Sequence, residues 1–116
     1  MGTRTLAVMK HVGSNVATDA LMSQTSTGVN GGPVLVVCGD PGGLSSRGWQ
    51  DTRLYCRLAQ VPCLEPSDAQ EALEFTRLAF ELSQRFDTPV IVRSTTCLSH
   101  MRNPLSVGER REREVG

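Results

Sequence analysis

The sequence lacks a net charge, a long apolar run, a paired-cysteine motif and all but two histidines, and each absence removes a class of function. Lys plus Arg and Asp plus Glu each number 12. Nothing in that balance attracts nucleic acid or an anionic membrane surface, so neither is expected as a partner. No segment approaches the roughly 20 consecutive apolar residues of a membrane span. The apolar run after Met1 is too short for a signal peptide, and a cytoplasmic location is expected. Cys38, Cys56, Cys63 and Cys97 form no C-x-x-C pair, so no zinc, iron–sulfur or other metal site is expected within the chain. All four are read as thiols, with Cys38 a small core residue. The histidines are His11 and His100, and there is no G-x-S-x-G elbow, which leaves a hydrolase reading without a placed nucleophile. A Walker loop and a dinucleotide fingerprint are missing too. The stretch Gly28-Val29-Asn30-Gly31-Gly32 precedes a strand instead of following one.

What is present fits one small α/β domain. The length of 116 residues suits a single core, and 39% apolar with 21% charged residues is ordinary globular composition. Val34 to Cys38 is a continuous apolar, β-branched run between Pro33 and Gly39, as in a parallel strand covered on both faces. Further strands are expected over 5–9, 89–96 and, briefly, 62–64. The best helix spans about Asp68 to Phe86. Ser67 and Gln70 suggest a capping box, and Ala72, Phe75, Ala79, Leu82 and Phe86 lie along one face. A helix over Asn15 to Ser26, capped by Ser14 or Asn15, and another over Gln50 to Ala59, with Leu54, Leu58 and Ala59 inward, complete a β-α-β-α-β-α-β order. That alternation predicts right-handed crossovers and an open, doubly wound parallel sheet. Residues 103–116, rich in Glu and Arg and without an apolar face, are expected to form a flexible tail.

Ligands of such sheets bind at the carboxyl ends of the strands. Lys10-His11-Val12-Gly13-Ser14-Asn15 leaves the first strand. His11 there is either a ligand contact or proton carrier, or a loop histidine bonded to backbone. The loop from Gly39 through Asp40 to Ser45 and Ser46 leaves the second, and it is either an anion-wrapping loop or plain turn chemistry. The third such loop, Glu65 to Asp68, is accounted for mostly by helix capping.

An ordered string of short motifs then adds to these readings. Met9-Lys10-His11-Val12-Gly13-x-Asn15-Val16-Ala17 is followed by Thr27-Gly28-Val29-Asn30-Gly31-Gly32 and Asp40-Pro41-Gly42-x-x-Ser45-Ser46. Gln50-Asp51-x-Arg53, Leu64-Glu65-Pro66-Ser67-Asp68, Asp87-Thr88-Pro89-Val90 and Thr95-Thr96-x-x-Ser99-His100 complete it. Over residues 3–102 the sequence resembles the N-terminal pyrimidine-binding domain of the indolepyruvate ferredoxin oxidoreductase alpha subunit. That domain belongs to the thiamine diphosphate-dependent 2-oxoacid:ferredoxin oxidoreductase family.

The resemblance implies a partial pyrimidine-binding domain that lines a cofactor and substrate pocket. Lys10, His11, Gly13, Asn15, Asp40, Ser45 and Ser46 are the implied cofactor-side residues, with His11 the catalytic candidate. It implies thiamine diphosphate and magnesium in the full assembly, and 4Fe-4S clusters in other domains. The implied partners are the remainder of the alpha subunit, a beta subunit, ferredoxin and coenzyme A, with self-association of the isolated piece. The family's activating acidic residue, diphosphate motif and cysteine clusters have no counterpart here. Leu44, Arg47, Gly48 and Trp49 stand where the family has His, Gln, Asn and Glu. The chain alone is therefore expected to be inactive. A non-catalytic remnant serving as an interaction module, and a small flavodoxin-like nucleotide-binding domain, are the alternatives.

Overall fold

Four parallel strands form one open sheet in the computed structural model, which describes residues 2–43 and 48–110. β1 (Thr5–Lys10), β2 (Pro33–Gly39), β3 (Cys63–Leu64) and β4 (Val90–Thr95) lie in the order β1-β2-β4-β3. The apolar run expected to be covered on both faces, Val34 to Cys38, lies in β2, which is central in the sheet beside β4. The pleat of these two strands sends alternate residues to opposite sides. Leu35, Val37 and Ile91 pack with Leu21, Cys56, Ala59 and Val61 on one side, and Val34, Val90 and Val92 pack with Ala79 on the other.

The connections explain this division. β1 leads through α1 (Gly13–Val16) and α2 (Thr18–Thr27) to its neighbour β2. β2 runs outward past β4 through α3 (Thr52–Ala59) to β3, and β3 returns through α4 (Ala69–Phe86) to β4. With one crossover hand, outward and returning helices fall on opposite faces. α2 and α3 therefore cover one face and α4 the other, which is the expected doubly wound arrangement.

Several details differ from the sequence reading. The α4 capping box is shifted by one residue: Asp68 is the N-cap and accepts from the Glu71 N–H at 2.8 Å, while the Glu71 carboxylate accepts from the Ser67 N–H at 2.8 Å. A carboxylate at both positions meets the orphan donors and the positive helix end better than Ser67 and Gln70 would. Small residues, Ala79 and Ser83, are the buried part of the contact of α4 with the sheet, Phe80 and Leu82 pack partly buried against the same cluster, and Phe86 is exposed. The Ser83 hydroxyl donates to the carbonyls of Thr88 (2.6 Å) and Pro33 (3.2 Å). Gly32, at φ +78°, lies so close to α4 that a Cβ there would stand 2.8 Å from Gln84 Cγ.

In α3, Thr52, Cys56 and Ala59 face inward, whereas Leu54 and Leu58 are 66% and 72% exposed. Buried Val61 sets this phase, because Gln60 turns into the left-handed region and the Val61 N–H bonds back to the Cys56 carbonyl. The helix expected over 15–26 is two helices meeting at Ala17, and neither N-cap, Val12 or Ala17, uses a side-chain bond. Among the described residues no helix is long and apolar enough to cross a membrane. β4 passes directly into the short α5 (Thr96–His100).

Candidate functional site

Parallel pairing brings the carboxyl ends of β1, β2 and β4 to one edge, with Lys10 beside Cys38 and Gly39 beside Thr95. A cleft of about 290 Å³ opens there, lined by Lys10, Cys38, Asp40, Thr96, Ser99 and His100. Asp40 is buried, and its Oδ1 accepts from the Thr96 hydroxyl at 3.0 Å. Its carbonyl accepts from the Gly43 N–H, which closes the turn after β2. Ser99 donates to the Thr95 carbonyl at 2.9 Å and lies 3.0 Å from the Ser94 hydroxyl, so α5 is fixed against the strand it follows. Burial pushes the Cys38 thiol above its ordinary value.

His11 lies at the same edge but beneath the surface, 1% exposed. Its Nε2 is 2.9 Å from the Gly48 carbonyl and its Nδ1 is 3.3 Å from the Cys38 carbonyl. A carbonyl only accepts, so the shorter contact puts a proton on Nε2. Its N–H also bonds to the Cys38 carbonyl, and its own carbonyl accepts from the Ser14 hydroxyl. The imidazole thus ties three segments together: the turn after β1, the end of β2 and the chain at Gly48.

The sequence-predicted residues divide accordingly. Lys10 and Asp40 meet in the cleft, and His11 lies at the same edge in contact with backbone. Gly13 and Asn15 belong to α1 and do not line the cleft; Asn15 is exposed, and its carbonyl accepts from the Thr18 hydroxyl. Ser45 and Ser46 lie outside the described residues. Thr96, Ser99 and His100 were not among the predicted site residues. The signal that finds them is the segment directly after β4, which sits beside Asp40 once β4 is placed next to β2. Among the described residues no group of three or more His, Cys, Asp or Glu is placed to hold a metal ion.

Comparison with known proteins places this geometry in context. No family model matches the chain. It is 52% identical over 109 residues to the indolepyruvate oxidoreductase subunit IorA of Methanothermobacter thermautotrophicus, a match covering 94% of the chain and 18% of that subunit. The IorA of Thermococcus kodakarensis is 50% identical over 108 residues, covering 93% of the chain and 17% of the relative. A weaker match, 34% over 53 residues, joins 46% of the chain to 14% of the 2-oxoglutarate synthase subunit KorA of Methanothermobacter marburgensis. The chain spans less than a fifth of the length of the curated relatives it matches. At 46–52% identity to the IorA relatives over nearly all of its length, the chain matches a fragment of the alpha subunit of indolepyruvate oxidoreductase.

Proposed function

We propose that this chain is the part of a thiamine diphosphate-dependent 2-oxoacid:ferredoxin oxidoreductase, of the indolepyruvate type, that borders the cofactor and substrate pocket. It would act with the remainder of the alpha subunit and a beta subunit, passing electrons through 4Fe-4S clusters held elsewhere to ferredoxin, with coenzyme A taking the acyl group. The observation that carries this reading is the cleft at the carboxyl ends of β2 and β4. Two of its lining residues, Lys10 and Asp40, belong to the loops that the resemblance assigns to the pocket.

The side chains fit one end of the cofactor. An aminopyrimidine offers ring-nitrogen acceptors and an amino donor. Lys10 and His100 supply donors, and the Thr96 and Ser99 hydroxyls, whose protons go to Asp40 and the Thr95 carbonyl, supply acceptors together with the Asp40 carboxylate. The diphosphate–magnesium end finds no ligand cluster among the described residues, so its holder belongs to another segment. When bound, the cofactor supplies the electron sink for decarboxylating a 2-oxoacid. The chain's own contribution is positional. Asp40 orients the Thr96 hydroxyl, α5 carries Ser99 and His100 to the rim, and His11 holds the first and second loops in register.

Grafting residues 3–102 into the corresponding segment of the M. thermautotrophicus IorA, assembled with its beta subunit, tests the proposal. The graft should bind thiamine diphosphate and reduce ferredoxin with indolepyruvate. Lys10→Ala and Thr96→Val should each weaken cofactor binding about tenfold, roughly 1.4 kcal/mol. The isolated chain should bind no tighter than millimolar, about 4 kcal/mol. A folded graft whose cofactor affinity ignores both substitutions would overturn the reading, as would micromolar binding by the isolated chain.

A further inference from the structure

β1 has the sequence of an inner strand and the position of an outer one. Leu6-Ala7-Val8-Met9 is a continuous apolar run, the pattern of a parallel strand covered on both faces. Yet β1 ends the sheet, and of that run only Met9 is even half-buried. Thr5 and His11 donate their N–H groups toward β2, to the carbonyls of Gly32 and Cys38. Successive amides of a strand point to opposite sides, so the N–H groups of Leu6, Val8 and Lys10 face outward. No strand lies on that side among the described residues.

Both faces beside this edge are open. On the α2 side, a mostly apolar cavity of about 200 Å³ is lined by Ala7 and Met9 of β1 together with Ala17, Ala20 and Leu21. On the other side, α4 lies over β2 and β4 and leaves Leu6 and Val8 exposed. An added strand sends alternate side chains to the two faces. One extended segment would therefore fill the cavity and cover Leu6 and Val8 together.

Two occupants have that form: the β1 strand of a second copy, or a segment from the rest of a larger subunit. The second copy is the poorer fit. In a two-fold antiparallel pairing, the register that sets Leu6 against Val8 also sets Arg4 against Lys10, twice. Like charges directly opposite one another destabilise a strand pair. A shift of two residues either way sets Arg4 against Val8, or Lys10 against Leu6. The larger subunit has ample chain to offer. The matched segment is 18% and 17% of the M. thermautotrophicus and T. kodakarensis IorA relatives, so more than four-fifths of each lies outside it.

We propose that the free edge of β1 takes up one extended segment from the remainder of the alpha subunit, an apolar strand with aliphatic side chains on both faces and no basic residue opposite Arg4 or Lys10. The proposal rests on the reading of the chain as part of such a subunit. The added segment exchanges backbone hydrogen bonds with Leu6, Val8 and Lys10 and makes β1 an inner strand. It also holds the carboxyl end of β1 from both sides, and with it the Lys10 wall of the cleft.

Residue-resolved hydrogen exchange tests this on the isolated chain and on the graft of residues 3–102 into M. thermautotrophicus IorA with its beta subunit. In the dilute isolated chain, the amides of Leu6 and Val8 should exchange on the order of tenfold or more faster than those of Ala7 and Met9, which point to β2. In the graft that gap should close. A gap that persists in the folded graft would overturn the proposal. So would a gap that closes to the same extent in the isolated chain as its concentration rises, which would assign the edge to a second copy. Ferredoxin reduction by the graft separates the two readings. A closed gap without activity sinks the functional reading and leaves the added strand, whereas an active graft with an open gap does the reverse. Should the graft not fold, the same comparison at the aligned residues of unmodified IorA decides the matter, and an open gap there overturns the proposal equally.

Discussion

Arg93 shows what a buried charge does to its neighbours. Its guanidinium is paired through Nη1 with the Glu65 carboxylate, whose side chain is 41% exposed. Removing the carboxylate leaves the buried cation alone, whereas removing the cation frees a carboxylate that water can reach. Glu65→Ala should therefore cost about 1–3 kcal/mol, below the loss typical of a fully buried pair, and Arg93→Met should cost less. Urea unfolding of both variants checks the order, and a larger loss for Arg93→Met would contradict it. A second residue-scale effect is pH-dependent. The Arg53 side chain, hydrogen-bonded to Asp51, holds that carboxyl below the ordinary range. A lowered carboxyl stabilises the fold fully above its unfolded value, about 3.9, and this is lost as pH falls through the folded value. Asp51→Asn keeps an acceptor at the α3 N-cap but removes the charge. It should lower the thermal midpoint at pH 7 and leave it unchanged near pH ~2, as a calorimetric pH series would show.

Elements were legible where the chain's physics is one-sided. A β-branched run such as Val34–Val37 has few alternatives to a covered strand, and Pro33 and Gly39 mark its ends as β2 shows. α3 was legible in extent but not in phase. Leu54 with Leu58 and Cys56 with Ala59 are both stripes at helical spacing, and hydrophobicity favours the wrong one. Close approach to the sheet selects small side chains, and only the buried Val61 turn fixes the rotation. Leu58→Gln should accordingly shift stability by no more than ~0.5 kcal/mol. Ala59→Leu should cost about 1–3 kcal/mol by overpacking. Thermal melts giving the reverse order would restore the sequence-based phase. For the candidate site, Lys10 and Asp40 could be read from their place after strands. Thr96, Ser99 and His100 could not, because their nearness to Asp40 depends on β4, last in sequence, lying second from the sheet edge.

At the scale of the whole molecule, the surface is too large for the mass. The chain exposes 7835 Å², whereas a compact monomer of 12.6 kDa would expose about 6,200 Å². Residues 101–110, exposed and reaching α4 through Gln70 and Arg77, account for part of the excess. The rest includes β1. Leu6 and Val8 register with Val34 and Val36, on the face that α4 covers. α4 lies over β2 and β4, so Leu6 and Val8 remain 51% and 64% exposed beside a strand edge with no partner among the described residues. Exposed apolar side chains on an open edge favour pairing with another chain. Covering even 300 Å² of apolar surface would contribute roughly 7 kcal/mol, comparable with the ~5–15 kcal/mol that holds an ordinary domain together. The isolated chain should therefore self-associate at micromolar concentrations or unfold with low stability. Sedimentation velocity and urea unfolding across a concentration series would distinguish these outcomes. Leu6→Lys with Val8→Lys should move the distribution toward monomer without lowering the unfolding midpoint, since neither side chain is part of the buried core. An unsubstituted chain that sediments as a single monomer and unfolds in one cooperative step of ordinary stability would show that the exposed β1 face is tolerated in isolation.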